Sequence, residues 1–302
     1  IRRQRQMCIR DRAQSEGLAK ACANLLIATG HTGRPNNGLI GAWDKGNVQG
    51  GWDMGLRPSA SLFEDLKGAQ VAYLAGVDPA GDDPALKMAL VKAQFVVVQE
   101  LHNTATMDLA DVVLPAQSFI EREGSVTSGE RRVQRFYPAV PPVTGTKPDY
   151  AIAAEIGARV GKELESSAAG MVFLGIVGKF ADYADLDYQA LAEVQQQWPI
   201  VDRDDLYYGG TGYANKQGLG VQLDNAAGRG EPVSLEIFAI PESQANSLTA
   251  YPITRLYDQG NLLRYAAVMF PRIDSTFVLL NPADADGLGE SATVELLSLI
   301  HI

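Results

Sequence analysis

Short apolar runs alternate with amphipathic stretches between positions 71 and 115. Three runs, residues 71–75, 95–99 and 111–114, predict strands of a parallel sheet, whose buried strands are apolar on both sides. Between the first two runs, Asp83 followed by Pro84 is typical of a helix start, with the aspartate as N-cap. This order of elements predicts an α/β fold with a doubly wound, mostly parallel sheet and right-handed connections.

The segment before this sheet combines a helical pattern with a glycine-rich stretch. Leu18, Cys22 and Leu25 fall on one face of a helix predicted at residues 15–28. Residues 30–55 contain eight glycines, a density that predicts a loop without regular helix or strand.

After the sheet, the pattern predicts a hairpin and further helices. Residues 121–140 are typical of extended strands that turn at Ser128-Gly129, and Asp149 is placed to cap a helix. Another helix is predicted at residues 188–198, within a stretch that is otherwise irregular.

A second domain is predicted near the end of the chain. Strands at residues 253–256 and 277–280, followed by a capped turn of helix at 281–285, are too few to close a β-barrel. The predicted organisation is a sheet domain at residues 13–165, a helical and irregular extension at 166–250, and the truncated start of a β-barrel domain at 251–295.

Both ends of the chain differ in character from the rest. Residues 1–12 (IRRQRQMCIRDR) and 296–302 (LLSLIHI) resemble translated sequencing-adapter sequence, so we expect them to be non-native. The alternative is a native basic tail and a native C-terminal strand. On the first interpretation the chain is an interior fragment, and motifs that it lacks could lie outside it.

The charge of the chain argues against nucleic acid as a partner. The formal net charge is −10, and it becomes −14 without the first twelve residues, which hold five arginines and one aspartate. Nucleic-acid-binding domains carry a basic footprint, which this acidic chain lacks. No apolar run reaches the roughly 18 residues of a membrane-spanning helix, so we expect no direct membrane insertion.

Few side chains could bind a redox metal. Cys8 and His301 lie in the terminal segments that we expect to be non-native, which leaves Cys22, His31 and His102. Zinc and iron–sulfur sites need several such ligands at suitable spacing. The sequence therefore predicts no metal ligand and no catalytic residue in this chain, and the lack of a disulfide framework agrees with a cytoplasmic location.

Five motifs resemble those of the molybdopterin oxidoreductase family. One motif alone would be weak, but five in matching order and spacing are specific. The resemblance covers residues 13–160, and residues 253–289 resemble the start of the family's C-terminal dinucleotide-binding β-barrel. The motifs are NVQG with DMG (47–55), GVDP (76–79), TATMDLADVVLP (104–115), EREGSVTSGERRVQR (121–135) and KPDY (147–150).

Within the family, two branches fit these motifs. The segments at residues 131–140, 205–223 and 251–260, and the short spacing between Gly55 and the strand at 71–75, look most like the large subunit of bacterial NADH-quinone oxidoreductase, respiratory complex I. That likeness implies an electron-transfer subunit on the path from NADH to quinone, with iron–sulfur clusters upstream of this chain and no cofactor within it. It also implies peripheral-arm subunits as partners and a cytoplasmic position at the inner face of the plasma membrane. The alternative is a molybdenum bis-pterin enzyme such as formate dehydrogenase, which implies a molybdopterin guanine dinucleotide.

The resemblance also implies a nucleotide crevice at the carboxyl ends of the strands, where α/β sheets bind ligands. Its candidate contacts are Gly76, Asp78, Gln99, Thr104 and Thr106. Asp78 stands where asparagine is usual in the molybdenum enzymes, and a carboxylate repels a pyrophosphate unless it contacts a ribose or base donor. The crevice is therefore either a guanine-nucleotide pocket or a relic in which Asp78 closes a turn.

Two further features allow both a binding and a structural interpretation. The glycines of residues 30–55 could cradle a pterin with backbone amides, or they could serve a packed connection. The 121–135 motif carries arginines that could hold phosphates, and glutamates that favour an ion-pair network instead. These are Arg131, Arg132 and Arg135, with Glu121, Glu123 and Glu130. A generic α/β ligand-binding module is a third alternative, although it does not explain five ordered motifs.

Overall fold

Two three-stranded sheets organise the larger of two compact units, which span Ile1–Thr254 and Arg255–Ile302. The structure, a computed structural model, describes residues 12–32, 37–41, 43, 45–59, 61–192, 220–224, 228–237, 263–273 and 278–285. Within these ranges, no helix combines the length and hydrophobicity needed to cross a membrane.

The elements of the larger unit follow one another closely along the chain. The helices are α1 (Arg12–Ala28), α2 (Val48–Asp53), α3 (Leu62–Lys67), α4 (Pro79–Asp82), α5 (Pro84–Leu90), α6 (Asp149–Arg159), α7 (Ala169–Val177) and α8 (Tyr188–Ala192). The strands are β1 (Val71–Ala75), β2 (Phe95–Glu100), β3 (Val112–Pro115), β4 (Gly124–Thr127), β5 (Arg132–Phe136) and β6 (Val221–Gln222). Short 3₁₀ helices lie at Met107–Leu109 and Ala181–Tyr183.

The first sheet is parallel, with the strand order β1-β2-β3. Its three strands lie where the apolar runs predict them, so the α/β fold with a parallel sheet is confirmed. The helical start at Asp83 and Pro84 is also confirmed, because the Asp83 carboxylate accepts a hydrogen bond from the Ala85 N–H at 2.7 Å.

A helical layer packs on one face of this sheet. Leu66 of α3 and Leu90 of α5 are buried against Ala72 of β1 and Val98 of β2. Alternate residues of a strand point to opposite faces, so Tyr73 lies on the other face, where it is half exposed. The polar contacts of Tyr73 described below lie on that second face.

The second sheet is antiparallel, with the order β4-β5-β6. The predicted hairpin at Ser128-Gly129 is confirmed: the Arg131 N–H donates to the Ser128 carbonyl at 2.8 Å, with Arg131 at φ 62°. A separate core joins this sheet to the helices that follow it. Its buried members are Val133, Phe173, Tyr183, Leu186, Leu191 and Leu223.

The glycine-rich stretch departs from the prediction. The helix predicted before it is confirmed as α1, but residues 48–53 form helix α2 inside the stretch predicted to lack regular structure. The helix begins after Asn47, which adopts the left-handed conformation at φ 64°. A Cβ on Gly50 would lie 2.4 Å from Asn47 Oδ1, so glycine there permits close packing. The number of glycines alone did not predict helix α2, because Gly50 belongs to this helix and is required for its packing.

The smaller unit contains short helical turns in its described part. Leu263–Tyr265 and Ala267–Arg272 are 3₁₀ helices, and Pro282–Ala285 forms helix α9. The capped turn is confirmed, because Asn281 Oδ1 accepts from the Ala283 N–H at 2.9 Å. Residues 278–280 lack the predicted strand geometry, whereas residues 253–256 lie outside the described ranges. The β-barrel assignment for residues 251–295 therefore stays a prediction.

Candidate functional site

Asp78 lies on the loop that follows β1 and is 2% exposed. Its Oδ1 atom accepts hydrogen bonds from the Thr106 N–H at 2.9 Å, the Thr106 hydroxyl at 2.7 Å and the Gly81 N–H at 3.2 Å. The Thr106 hydroxyl in turn accepts from the Ala80 N–H at 3.0 Å. The loops that follow β1 and β2 are thus joined, and three donors compensate the charge of the carboxylate.

Gly76 and Thr104 occupy the same carboxyl edge of the sheet. Gly76 adopts φ +66°, and a Cβ placed on it would meet no atom of the described residues within 4 Å, so these residues leave open space there. Its N–H donates to the Gln99 carbonyl at 3.0 Å. Thr104 is 4% exposed, and its hydroxyl accepts from the Met107 N–H at 3.3 Å, within its own loop.

The side chain of Gln99 is engaged on the second face of the sheet. Its Nε2 atom donates to Asp149 Oδ1 at 2.5 Å, and its Oε1 atom accepts from the Tyr73 hydroxyl. Burial raises the pKa of Tyr73, and the negative charge of Asp149 raises it further. The amide of Gln99 is therefore occupied by protein groups in this structure.

Asp149 connects the sheet edge to the 121–135 motif. Its Oδ2 atom pairs with Arg122 Nη2 at 2.9 Å, while Gln99 occupies Oδ1. The prediction that Asp149 caps a helix was wrong: α6 starts at Asp149, Pro148 holds the N-cap position, and no side chain caps the helix. The carboxylate contacts other elements instead, because two polar side chains reach it from β2 and the 121–135 segment.

A second polar cluster surrounds Tyr183, which is 1% exposed. Its hydroxyl donates to Asp53 Oδ2 at 3.2 Å and lies 2.8 Å from the Thr127 hydroxyl. Gln49 Nε2 donates to the other oxygen of Asp53 at 2.8 Å. Burial raises the pKa of Tyr183 to about 12, against a smaller opposing effect of the Thr127 hydrogen bond. This cluster holds α2 against the hairpin.

The arginines of the 121–135 motif form ion pairs, which confirms the network predicted for them. Arg132 Nε lies 3.1 Å from Glu130, and Arg135 Nη2 lies 2.9 Å from Glu123. Arg131 finds partners outside the motif, since its Nη2 atom lies 2.5 Å from Asp182. Each of the three arginines therefore has a carboxylate partner, as the ion-pair interpretation requires.

Two details of this network differ from the prediction. Glu121 binds main-chain groups instead of serving the arginines: its carboxylate accepts from the Ser118 and Val143 N–H groups at 2.8 and 3.0 Å. Arg135 lies between two aromatic rings, with its guanidinium carbon 4.4 Å from the Tyr137 centroid and 4.5 Å from the Tyr188 centroid. Such stacking stabilises a cation and fixes its orientation.

At the carboxyl edge of the sheet, the main chain beside Gly76 is open among the described residues, whereas the neighbouring polar side chains are engaged. Open space beside Gly76 admits a ligand close to the backbone, and the compensated charge of Asp78 lowers its repulsion of a phosphate. The side chains of Asp78, Thr106 and Gln99 already form hydrogen bonds with protein groups. A ligand at this edge would therefore meet the main chain of the two loops. Across the described ranges, no three His, Cys, Asp or Glu side chains are grouped to hold a metal ion.

Sequence analysis missed the polar partners Tyr73, Arg122 and Tyr183. A tyrosine within the apolar run at residues 71–75 was a usable signal, because a hydroxyl on a largely apolar strand requires a partner. Tyr183 lies in a segment whose pattern suggested no contact with residues 47–55, so nothing local revealed its role.

The chain belongs to the molybdopterin oxidoreductase family, whose family model matches residues 7–159. It is 30% identical over 310 residues to the F420-dependent formate dehydrogenase 2 subunit alpha of Methanococcus maripaludis, covering 89% of this chain and 45% of that protein. It is 28% identical over 308 residues to the F420-dependent formate dehydrogenase subunit alpha of Methanocaldococcus jannaschii, with the same coverage. The chain therefore spans less than half the length of these curated relatives.

These relatives correct the branch inferred from the sequence. The family resemblance is confirmed, but the matched proteins are formate dehydrogenase alpha subunits, so the assignment to the large subunit of complex I was wrong. Three short segments and the short spacing between Gly55 and β1 carried that assignment, whereas the similarity to the formate dehydrogenases extends over 89% of the chain. The partners and the membrane-side location implied by the complex I branch lose their basis.

Proposed function

We propose that this chain is part of the catalytic subunit of a molybdopterin-dependent formate dehydrogenase, and that the crevice beside Gly76 receives the guanine-nucleotide end of the cofactor. The observation that carries the proposal is the similarity to formate dehydrogenase alpha subunits over most of the chain. The open carboxyl edge of the parallel sheet supports the proposed position of the nucleotide.

The residues of this chain would bind and orient rather than react. When bound, a molybdopterin cofactor supplies two-electron redox chemistry, in which formate gives carbon dioxide, a proton and two electrons. Gly76 leaves the space in which a ribose or phosphate could lie against the main chain. Asp78, Thr104 and Thr106 hold the two loops that border that space, and Gln99 fixes the end of β2.

The test uses the complete polypeptide that the gene encodes, produced in a host that makes molybdopterin. We expect the purified protein to yield a fluorescent pterin on acid oxidation, to release GMP on hydrolysis, and to reduce a viologen dye with formate. A protein that retains pterin but reduces no dye with formate would keep the cofactor assignment and reject the substrate. A protein that retains no pterin would reject both.

A pair of glycine variants tests the position of the nucleotide. Gly76→Ala places a methyl group in the open space beside β1, so we expect the protein to retain less GMP-releasing cofactor. Gly145→Ala is the matched control, because Gly145 also has positive φ, at +90°, and a Cβ placed on it would also meet no atom within 4 Å in the part of the chain that the structure describes. Equal cofactor content in the two variants would show that the nucleotide lies elsewhere.

A further inference from the structure

Asp78 and Thr106 join the loops that follow β1 and β2. The loop after β1 contributes Asp78, and the loop after β2 contributes Thr106, which is 0% exposed. Both the N–H and the hydroxyl of Thr106 donate to one carboxylate oxygen, and the same hydroxyl accepts from the Ala80 N–H. These three bonds cross between the loops, so they fix the distance between the two walls of the crevice.

Burial excludes these two side chains from direct ligand contact in this conformation. Asp78 is 2% exposed and Thr106 is 0% exposed, so neither offers surface to a molecule in the crevice. A ligand would meet the surrounding main chain, whose position depends on the bonds beneath it. This arrangement agrees with the alternative in which Asp78 supports a turn and does not itself contact a nucleotide.

We propose that Asp78 and Thr106 are positioning residues that act as a latch, fixing the width of the crevice so that its main chain is preorganised for a guanine nucleotide. The identity of the ligand in this inference rests on the proposed function. The latch itself rests on the hydrogen bonds between the two loops. Loops held in the ligand-bound arrangement before binding lose less conformational entropy when the ligand arrives.

Thr104 provides a control in the same loop as Thr106. It is also a buried threonine, at 4% exposure, but its hydroxyl accepts from the Met107 N–H and so bonds within one loop. Removing this hydroxyl disturbs a buried hydrogen bond without cutting the connection between the loops. Comparing the Thr104 and Thr106 variants therefore distinguishes the effect of losing any buried hydroxyl from the effect of losing the connection between the loops.

The first measurement is amide hydrogen exchange of the full chain without ligand. In Thr106→Val, the Ala80 N–H loses its acceptor, so we expect its exchange to accelerate about tenfold, the scale set by one lost hydrogen bond. Thr106→Ser keeps the hydroxyl and should restore slow exchange. Thr104→Val should leave Ala80 protected, and the Met107 N–H keeps the Thr104 carbonyl as its acceptor at 3.1 Å. Unchanged protection of Ala80 in Thr106→Val would overturn the latch.

The second measurement is calorimetric titration of the same proteins with GDP. We expect Thr106→Val to weaken GDP binding about tenfold while Thr106→Ser binds within about twofold of the unmodified protein, following the loss of one hydrogen bond. Faster Ala80 exchange with undiminished GDP affinity would overturn the positioning role. If the unmodified protein binds no GDP, the nucleotide crevice of the proposed function fails and the positioning role falls with it, while the exchange data still decide the latch.

Discussion

The Oδ1 atom of Asn47 accepts a hydrogen bond from the backbone N–H of Thr127 at 3.0 Å. The two residues belong to different motifs of the family resemblance, at 47–55 and 121–135. Asn47 adopts φ 64°, a conformation that asparagine tolerates better than most residues, and this directs its amide to the hairpin. This contact gives the first motif an assembly role, because its polar group binds the second motif.

Replacing Asn47 should therefore destabilise the larger unit. Asn47→Ala removes the acceptor from the Thr127 N–H and places alanine in the left-handed conformation, so we expect a loss of about 2–4 kcal/mol in the free energy of unfolding. Asn47→Asp keeps an acceptor and tolerates the same φ, and should lose less than half as much. Urea unfolding followed by fluorescence measures both. Equal losses would mean that the Thr127 contact contributes little.

Tyr183 predicts a specific alkaline weakness. Burial raises its pKa to about 12 in the folded protein, above the ordinary value of 10.0. A raised pKa means that its contribution to stability is fully present below pH 10 and is lost as the pH rises through about 12. We expect Tyr183→Phe to flatten this alkaline decline, measured as the free energy of unfolding between pH 9 and pH 11.5.

At neutral pH, Tyr183→Phe should lower the stability of the protein. Tyr183→Phe removes the partner of Thr127 and of Asp53, so we expect it to lower the free energy of unfolding by about 1–2 kcal/mol at pH 7. The difference between the variant and the unmodified protein should shrink as the pH rises. A difference that stays constant from pH 7 to pH 11.5 would rule out Tyr183 as the titrating group.

Two glycines should respond in opposite directions to the same substitution. A Cβ on Gly129 would lie 1.9 Å from the Gly41 carbonyl oxygen, so Gly129→Ala should displace residues 37–41 from the hairpin and lower the melting temperature. Gly175 lies within α7 with no atom within 4 Å of a Cβ, so Gly175→Ala should stabilise by about 0.5–1 kcal/mol through helix propensity. Calorimetric melting distinguishes them, and stabilisation by both would contradict the close approach at Gly129.

For the stability of the protein, the negative charge of Asp78 should matter less than its Oδ1 atom as a hydrogen-bond acceptor. Asp78→Asn keeps an Oδ1 acceptor for the Thr106 donors, so we expect a change in the free energy of unfolding within about 1 kcal/mol. Asp78→Ala leaves those buried donors without an acceptor and should lose about 3 kcal/mol or more. Chemical unfolding of the two variants provides the comparison. A loss for asparagine as large as the loss for alanine would mean that the negative charge itself, and not the acceptor oxygen, stabilises the loop.

Sequence patterns were sufficient for the local part of this fold. The apolar runs at β1, β2 and β3 and the Asp83 cap depend on neighbouring residues, so periodicity and capping rules located them. The partners of polar residues depend on contacts between distant segments. Aspartate is a residue type that often caps helices, yet the carboxylate oxygens of Asp149 bind Gln99 and Arg122. Only the folded structure brings these three side chains together.

The candidate site shows the same division. The sequence identified the carboxyl edge of the sheet and placed Asp78 on the loop after β1, as the structure has it. Whether Asp78 contacts a ligand or supports a loop depended on the position of Thr106, 28 residues away. The pattern of strands and motifs in the sequence predicts which loops lie side by side. It does not predict which buried side chains form hydrogen bonds with each other.

The strand order β1-β2-β3 also has a consequence for the sequence of events in folding. Each strand pairs with the next one along the chain, so this sheet closes short loops and can form early. The hairpin cluster closes far longer loops, with 80 residues between Asn47 and Thr127 and 130 between Asp53 and Tyr183. Substitutions in the parallel sheet should therefore slow refolding, whereas substitutions around Tyr183 should mainly accelerate unfolding.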